Sequence, residues 1–201
     1  MTRIAAVILA GGRGERLGGV NKALLALGDR TLLDRAMAVT RGYKTLLAVG
    51  SARFEAPGDL EQVLDLDTGY AGPLAGVAAA VQHLADSAID LLFSLAVDTP
   101  LFPADFVSRA RDLLHASPAV LAAYGEQDYP TNAVWRLSAL SSLPDAVRNG
   151  TAPRSLKRLA LGLGAARLDY APLTDSDPFR NANTPEDLAF LGRALERRDG
   201  G

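Results

Sequence analysis

The apolar run from Ile4 to Leu9 passes without a break into Ala10-Gly11-Gly12-Arg13-Gly14-Glu15-Arg16-Leu17-Gly18-Gly19-Val20-Asn21-Lys22. The run reads as a buried first strand. Between Ile8 and Lys22 lie five glycines, two arginines and one lysine. Glycine lets a backbone approach a ligand closely, and consecutive free N–H groups form a concavity that attracts anions. Three cations in the same short loop supply the remaining charge that a polyphosphate demands. A simple turn needs only one or two glycines. The segment therefore reads as a nucleotide triphosphate loop at the carboxyl end of strand one.

Two common glycine loops are excluded by spacing. Gly14 and Gly19 are separated as in a Walker loop, but Val20 stands where that loop requires lysine. The dinucleotide pattern starts at Gly12 and fails at Leu17.

Apolar segments alternate with amphipathic ones through the first half. Residues 3–9, 45–49, 61–64, 90–97 and 119–123 read as strands, and 31–41, 73–84 and 103–115 as helices. Pro73 and Pro103 stand near the expected starts of two of these helices. In the second half, 130–136 and 166–168 read as strands, and 138–148, 154–161 and 184–197 as helices. Thr184, Pro185 and Asp187 give the last helix a capping-box start. Such alternation implies a three-layer α/β/α fold, a mostly parallel Rossmann-like sheet with helices on both faces. With 201 residues and no convincing linker, the chain is expected to be one domain, 1–201.

Composition narrows the chemistry. There are no cysteines, so disulfides and thiolate metal sites are excluded. The formal net charge of −2 argues against nucleic acid as a partner. No apolar run reaches membrane-spanning length, and the expectation is a soluble, cytoplasmic protein. His83 and His115 fall within expected helices, away from the strand ends where open α/β sheets bind ligands.

Two further segments fall at such ends. Gly69 to Gly76 opens a helix. Asp98 directly follows the apolar segment 91–97. A carboxylate there is costly unless it is paired or bound to metal, and Mg²⁺ favours one or two carboxylates plus substrate phosphates. The alternative is a turn cap in Asp98-Thr99-Pro100. Asn181 and Asn183 offer oxygen ligands, or else belong to a turn that starts the last helix.

Leu9-Ala10-Gly11-Gly12 with Lys22, Gly72-Pro73-Leu74-Ala75-Gly76, Asp98-Thr99-Pro100, Tyr129-Pro130-Thr131 and Asn181-Ala182-Asn183-Thr184-Pro185-Glu186 occur in that order. In this the chain resembles the molybdenum cofactor guanylyltransferases, over roughly residues 5–191. The opening motif alone is shared by many nucleotidyltransferases; the combination is more specific. The resemblance implies a sheet of the nucleotidyltransferase (GT-A-like) type. It implies transfer of GMP from GTP to the terminal phosphate of molybdenum-molybdopterin cofactor, with Mg²⁺ as cofactor. It also implies transient contact with molybdoenzyme maturation proteins. The nucleotide would be bound within about 1–125 and the acceptor within about 126–198.

Carried over by residue, Leu9, Ala10, Gly11 and Gly12 would contact GTP, and Lys22 would neutralise its phosphates. Asp65 corresponds to a nucleotide-contacting aspartate, with Asp67 as the competing assignment. Asp98 would hold Mg²⁺ and touch GTP, making Lys22 and Asp98 the catalytic pair. Asn183 would be the second metal ligand, and Asn181 with Arg154 would face the acceptor. Lys157, Arg158, Tyr129 and Trp135 are further acceptor candidates, with a solvated helix face or the core as their other reading.

Two positions depart from the family pattern. Asn21 stands before Lys22 where the family often has aspartate. Gly50-Ser51 replaces a frequent asparagine after strand two. A related cytidylyl branch tends to carry alanine at the position of Gly11, so glycine is expected to leave room for a purine. Cytidylyl transfer to the same cofactor, sugar-1-phosphate nucleotidyl transfer and a non-catalytic nucleotide-binding adaptor are the competing functions.

Overall fold

Strand β1, Ile4–Leu9, is buried along its whole length, which requires a layer on each side of it. Its residues alternate between two cores. Ile4, Ala6 and Ile8 face one, and Ala5, Val7 and Leu9 the other. That period of two is the geometry of a strand inside a covered sheet. The computed structural model of the protein describes residues 2–11, 21–58, 60–66 and 69–199.

The remaining strands are β2 (Ala26–Leu27), β3 (Arg30–Thr31), β4 (Lys44–Ala48), β5 (Glu61–Val63), β6 (Leu91–Ala96), β7 (Ala119–Tyr124), β8 (Gln127–Arg136) and β9 (Ala166–Asp169). The helices are α1 (Leu32–Val39), α2 (Pro73–His83), α3 (Phe106–Leu113), α4 (Leu143–Arg148), α5 (Leu156–Leu163) and α6 (Pro185–Asp199). The main sheet runs β5-β4-β1-β6-β8-β7-β9, with β2 and β3 as a separate small hairpin. All pairings among β5, β4, β1 and β6 are parallel. β8 runs antiparallel to both β6 and β7, and β9 returns parallel to β7. Residues of α1, α3 and α6 pack on one face, and residues of α2, α4 and α5 on the other. The mostly parallel three-layer architecture expected from the alternation is the one observed.

β1 lies between β4, reached through α1, and β6, reached through α2. The chain order reverses there, which places a crevice beyond the carboxyl ends of β4, β1 and β6. Among the described residues no helix is long and apolar enough to cross a membrane.

Several element boundaries differ from the sequence reading, each for a local reason. The expected helix 138–148 is two pieces, a 3-10 turn Leu137–Leu140 and helix α4. Pro144 is tolerated only in a first turn, so a continuous helix through it is excluded. The expected helix 103–115 starts later, at Phe106, with Asp105 as its N-cap residue. Pro103 heads a preceding turn whose carbonyl accepts from Phe106 N at 3.3 Å. Strand β8 begins at Gln127, three residues ahead of Pro130, because it forms a hairpin with β7 through Gly125 at φ 56.

Helix α2 packs unusually close to the sheet. A Cβ on Gly76 would lie 3.0 Å from Ala48 Cβ and 3.1 Å from Leu9 Cδ2. Both neighbours sit in the sheet beneath the crevice. Gly76→Val should therefore force α2 away from β1 and β4. We expect a loss of about 1–3 kcal/mol, the usual cost of overpacking a core, read as a lower midpoint in urea unfolding.

Candidate active site

Leu9, Ala48 and Ala96, the last residues of β1, β4 and β6, line a cavity of about 220 Å³. Its wall is largely main chain and small residues. Ala10, Gly11 and Gly50 form one side, Gly72, Pro73 and Gly76 of the α2 entrance another. Lys22, Asp65, Asp98, Thr131 and Asn181 supply its polar groups. Neighbouring strands hold the loop after β1. Ala10 N donates to Ala48 O at 2.8 Å, and Val97 N to Leu9 O at 3.2 Å.

The strongest polar junction joins three distant segments. Lys22 Nζ donates to Asp98 Oδ2 at 2.5 Å and to Asn183 Oδ1 at 2.6 Å. The lysine and aspartate side chains are only 14% and 15% exposed, so the pair is mostly removed from water. A charge pair held there is strengthened by the reduced dielectric around it. Each member is delivered by local structure. Lys22 begins a 3-10 turn, Lys22–Leu24, capped by Asn21 Oδ1, which accepts from Ala23 N. Asparagine and aspartate serve equally well as caps, so the Asn21 departure leaves the placement of Lys22 intact. Asp98 follows β6, and its carbonyl accepts from Ala182 N at 2.9 Å.

The segment carrying Asn181 and Asn183 is anchored at both ends. Phe179 is fully buried. Its ring lies 5.2 to 6.0 Å from those of Phe102, Phe106, Tyr129 and Tyr170. At the other end Asp187 Oδ2 accepts from Asn183 N at 3.2 Å and Thr184 N at 3.1 Å. Asp187 N donates back to Thr184 Oγ1, completing a capping box. Arg180 grips the other oxygen of Asp187, with NH2 to Oδ1 at 2.8 Å.

Between the anchors, Asn181 lines the cavity with a buried side-chain oxygen that has no partner among the described residues. A buried carbonyl in that state costs about 1–3 kcal/mol, which a ligand's donor would recover. Asp65 also lines the cavity, half-buried. Burial pushes its carboxyl above the usual carboxylate range. Its main chain is tied to the cavity wall by Asp65 N donating to Gly50 O at 2.8 Å.

Of the residues singled out in the sequence, the structure brings Leu9, Ala10, Gly11, Lys22, Asp65, Asp98 and Asn181 around one cavity, with Asn183 joined through Lys22. Gly12, Arg13, Arg16 and Asp67 lie outside the described residues. Arg154 does not line the cavity; its guanidinium lies 5.5 Å above the Tyr70 ring. Lys157 is exposed, 3.8 Å from Asp128. Trp135 belongs to the core, fully buried, and donates to Ser94 Oγ. Tyr129 donates to Asp177 and packs on Phe179.

Gly11 is required by its protein neighbours, apart from any room it leaves for a purine. A Cβ at Gly11 would lie 2.8 Å from Gly50 N and 3.0 Å from its Cα. It would be driven into backbone. Gly11 sets how closely the loops after β1 and β4 approach, and Gly50 is the partner that allows it. Gly50, at φ 76, adopts a conformation that L side chains avoid. Where the family often has an asparagine, this chain has Gly50 in the cavity wall. Asn132 had no role in the sequence reading; Thr131 stood there only within the Tyr129-Pro130-Thr131 motif, and Gly50 only as a departure from the family pattern. Nothing in their spacing marks them, because a β8 bulge and a loop contact bring them in.

Comparison with known proteins agrees with this architecture. Residues 6–163 match the model of the MobA-like NTP transferase domain, and the chain belongs to that family. The molybdenum cofactor guanylyltransferase of Acidiphilium cryptum (strain JF-5) is 38% identical over 195 residues, covering 93% of each chain. That of Rhodobacter capsulatus is 36% identical, covering 93% of this chain and 94% of the relative. The fold is that of molybdopterin-guanine dinucleotide biosynthesis protein A from Archaeoglobus fulgidus. The TM-score is 0.75 at 21% identity, over 96% of this chain and 99% of that one. The chain is therefore a nucleotidyltransferase.

Asp187 yields a test of the anchor. Hydrogen bonding from Arg180 is the main cause that holds its carboxyl below the ordinary value of 3.8. A carboxylate depressed on folding stabilises fully above its unfolded value and loses that contribution as pH falls through the folded one. Asp187→Asn should lower stability at pH 7 by about 1 kcal/mol, the typical worth of an N-terminal cap. Melting temperatures of the two proteins should converge as pH falls through the depressed titration of Asp187, below the ordinary value of 3.8.

Proposed function

We propose that this chain transfers GMP from GTP to the terminal phosphate of molybdenum-molybdopterin cofactor, releasing pyrophosphate. The observation that carries the reading is the junction of Lys22, Asp98 and Asn183 at the carboxyl ends of the parallel strands. The names of its relatives support the substrates, and the junction supports the place. The acceptor phosphate attacks the α-phosphorus of GTP. One P–O bond forms there as the bond to the β-phosphate oxygen breaks. A phosphate monoester has its second pKa near 6, so the nucleophile is largely dianionic at neutral pH and needs no general base. Repulsion between two anions is the obstacle, and positioned cations offset it. This explains a site built on a lysine and a carboxylate, with no histidine among the described residues that line the cavity.

The donor set fits a hard divalent cation. A carboxylate oxygen of Asp98 and a carbonyl oxygen of Asn183 already share one cation, the Lys22 ammonium. Mg²⁺ takes such oxygen ligands together with substrate phosphates. Asp98 and Asn183 would hold it. When bound, it would offset phosphate charge and orient the two reacting groups. Lys22 would then be free to serve the triphosphate. Ala10, Gly11 and Gly12 would contact the nucleotide, beside Leu9. Asp65 would accept from donors of the nucleoside. Asn181 would face the acceptor, with Arg154 outside the cavity, over Tyr70. Residues 1–125 would thus serve the nucleotide and 126–198 the acceptor, within one domain and in the cytoplasm. Hand-over to molybdoenzyme maturation proteins would follow.

The fold by itself does not choose the nucleotide. The 2-C-methyl-D-erythritol 4-phosphate cytidylyltransferase of Thermus thermophilus shares it, at TM-score 0.69 and 24% identity, over 98% of this chain and 100% of that one. GTP with Mg²⁺ should raise the melting temperature more than CTP at equal concentration, because a ligand stabilises by mass action. An equal or larger shift with CTP would replace the guanylyl reading with the cytidylyl one.

Lys22 provides a second test. If Lys22 and a divalent cation draw on the same two oxygens, Lys22→Met should tighten Mn²⁺ binding in the absence of nucleotide. The same change should lower the maximal rate of GMP transfer by about 100-fold, the size expected for one preorganised electrostatic donor. Titration calorimetry with Mn²⁺ and steady-state rates at saturating GTP measure the two effects separately.

A further inference from the structure

Strand β8 carries an irregularity beside the cavity. Along β7, Leu121 and Ala122 are consecutive, yet their partners on β8 are Ala133 and Tyr129. Pro130, Thr131 and Asn132 therefore bulge out of that ladder. The β6–β8 ladder ends at the same place, with Ser94 opposite Ala133. Proline suits such an unpaired position because it has no N–H to lose. Bulges of this kind re-aim side chains next to functional sites. Here Thr131 is turned into the cavity, and Asn132 is turned inward, fully buried.

The Asn132 amide takes over the work of the missing ladder. Its Oδ1 accepts from Ala96 N, the last residue of β6, at 2.8 Å. Its Nδ2 donates to Thr99 Oγ1 at 3.3 Å. Those two contacts bracket Asp98 in sequence. Thr99 is itself 4% exposed, and its N donates to Ala96 O at 3.3 Å, closing the turn. We propose that Asn132 is a positioning residue for Asp98. Its side-chain amide fixes the turn from Ala96 to Thr99, so the carboxylate meets the reacting phosphates in one place. The inference rests on the catalytic reading of Asp98.

A buried asparagine also contributes to stability, so the test separates rate from folding. Thr99→Val keeps the shape of the side chain and removes only the oxygen that Asn132 reaches. Thr99→Ser keeps that oxygen. Asn132→Leu removes both contacts. Maximal rate and KM for GTP are measured well below each melting temperature, with Asp98→Asn in parallel. Misplacement of a reacting group by about 1 Å can cost about 100-fold. We expect Thr99→Val to lower kcat by about 10-fold and Asn132→Leu by about 100-fold, on that scale. KM for GTP should stay within about twofold, since uniform binding is untouched. Thr99→Ser should keep the parent rate. If Thr99→Val melts lower yet turns over at the parent rate, Asn132 is structural and the inference is overturned. The two Thr99 variants decide this even if Asn132→Leu fails to fold. If instead Asp98→Asn keeps full activity, the reading of Asp98 itself has failed, whatever the other variants do.

Discussion

The ammonium of Lys22 sits between one oxygen of Asp98 and one of Asn183. Three segments, from near the start, the middle and near the end of the chain, must therefore meet at a single point. The junction is largely withdrawn from water, where breaking a pair by removing one partner is costly because the other charge is stranded. Much of the surrounding structure supplies that meeting point. A 3-10 turn presents the lysine, the end of β6 presents the carboxylate, and an anchored segment before α6 presents the amide.

The scaffold reaches this arrangement by bringing main chain close to main chain. Gly11 lies against Gly50, and Gly76 lets α2 settle on Ala48 and Leu9. Small residues here do more than save space. They leave the cavity wall largely peptide in character, rich in groups that can meet phosphate oxygens. Positive φ at Gly50 and Gly72 turns the backbone at the rim. The same cavity carries the unpartnered oxygen of Asn181 and the half-buried carboxyl of Asp65, which burial holds above the usual carboxylate range. Both conditions suit a polar, multiply hydrogen-bonding ligand better than an apolar one.

Much of this was legible before the structure. The strand Ile4–Leu9 and the glycines after it located the crevice, because an apolar run covered on both faces must sit inside a parallel sheet. Asp98 was legible for a related reason, since a carboxylate at the end of a buried strand must have a partner. The partner itself was not. Lys22 and Asn183 read separately, as a phosphate cation and a metal ligand. That they share an oxygen cage with Asp98 depends on contacts spanning 76 and 161 residues. The β7–β8 hairpin was partly hidden, because Pro130 inside an apolar segment reads as an edge or a late start. Asn132 was illegible, since one asparagine in a strand gives no sign that its amide will stand in for a broken ladder. The contact of Gly11 with Gly50 was illegible too, because sequence carries the size of a side chain but not its direction.

The sequence by itself determined the layers, the sign of the charge at the first loop and the chemistry available at each strand end. Hydrophobic period, glycine content and the cost of burying a carboxylate are local properties that a chain carries wherever it goes. Tertiary structure decided which of those groups touch. It made Gly50 the neighbour of Gly11, put Asn132 under the Asp98 turn, and left Arg154 on Tyr70 outside the cavity. Contact is set by strand register, by the bulge from Pro130 to Asn132 and by the anchoring of Phe179 among its aromatic neighbours. Those distances are fixed only when the whole sheet has closed around them.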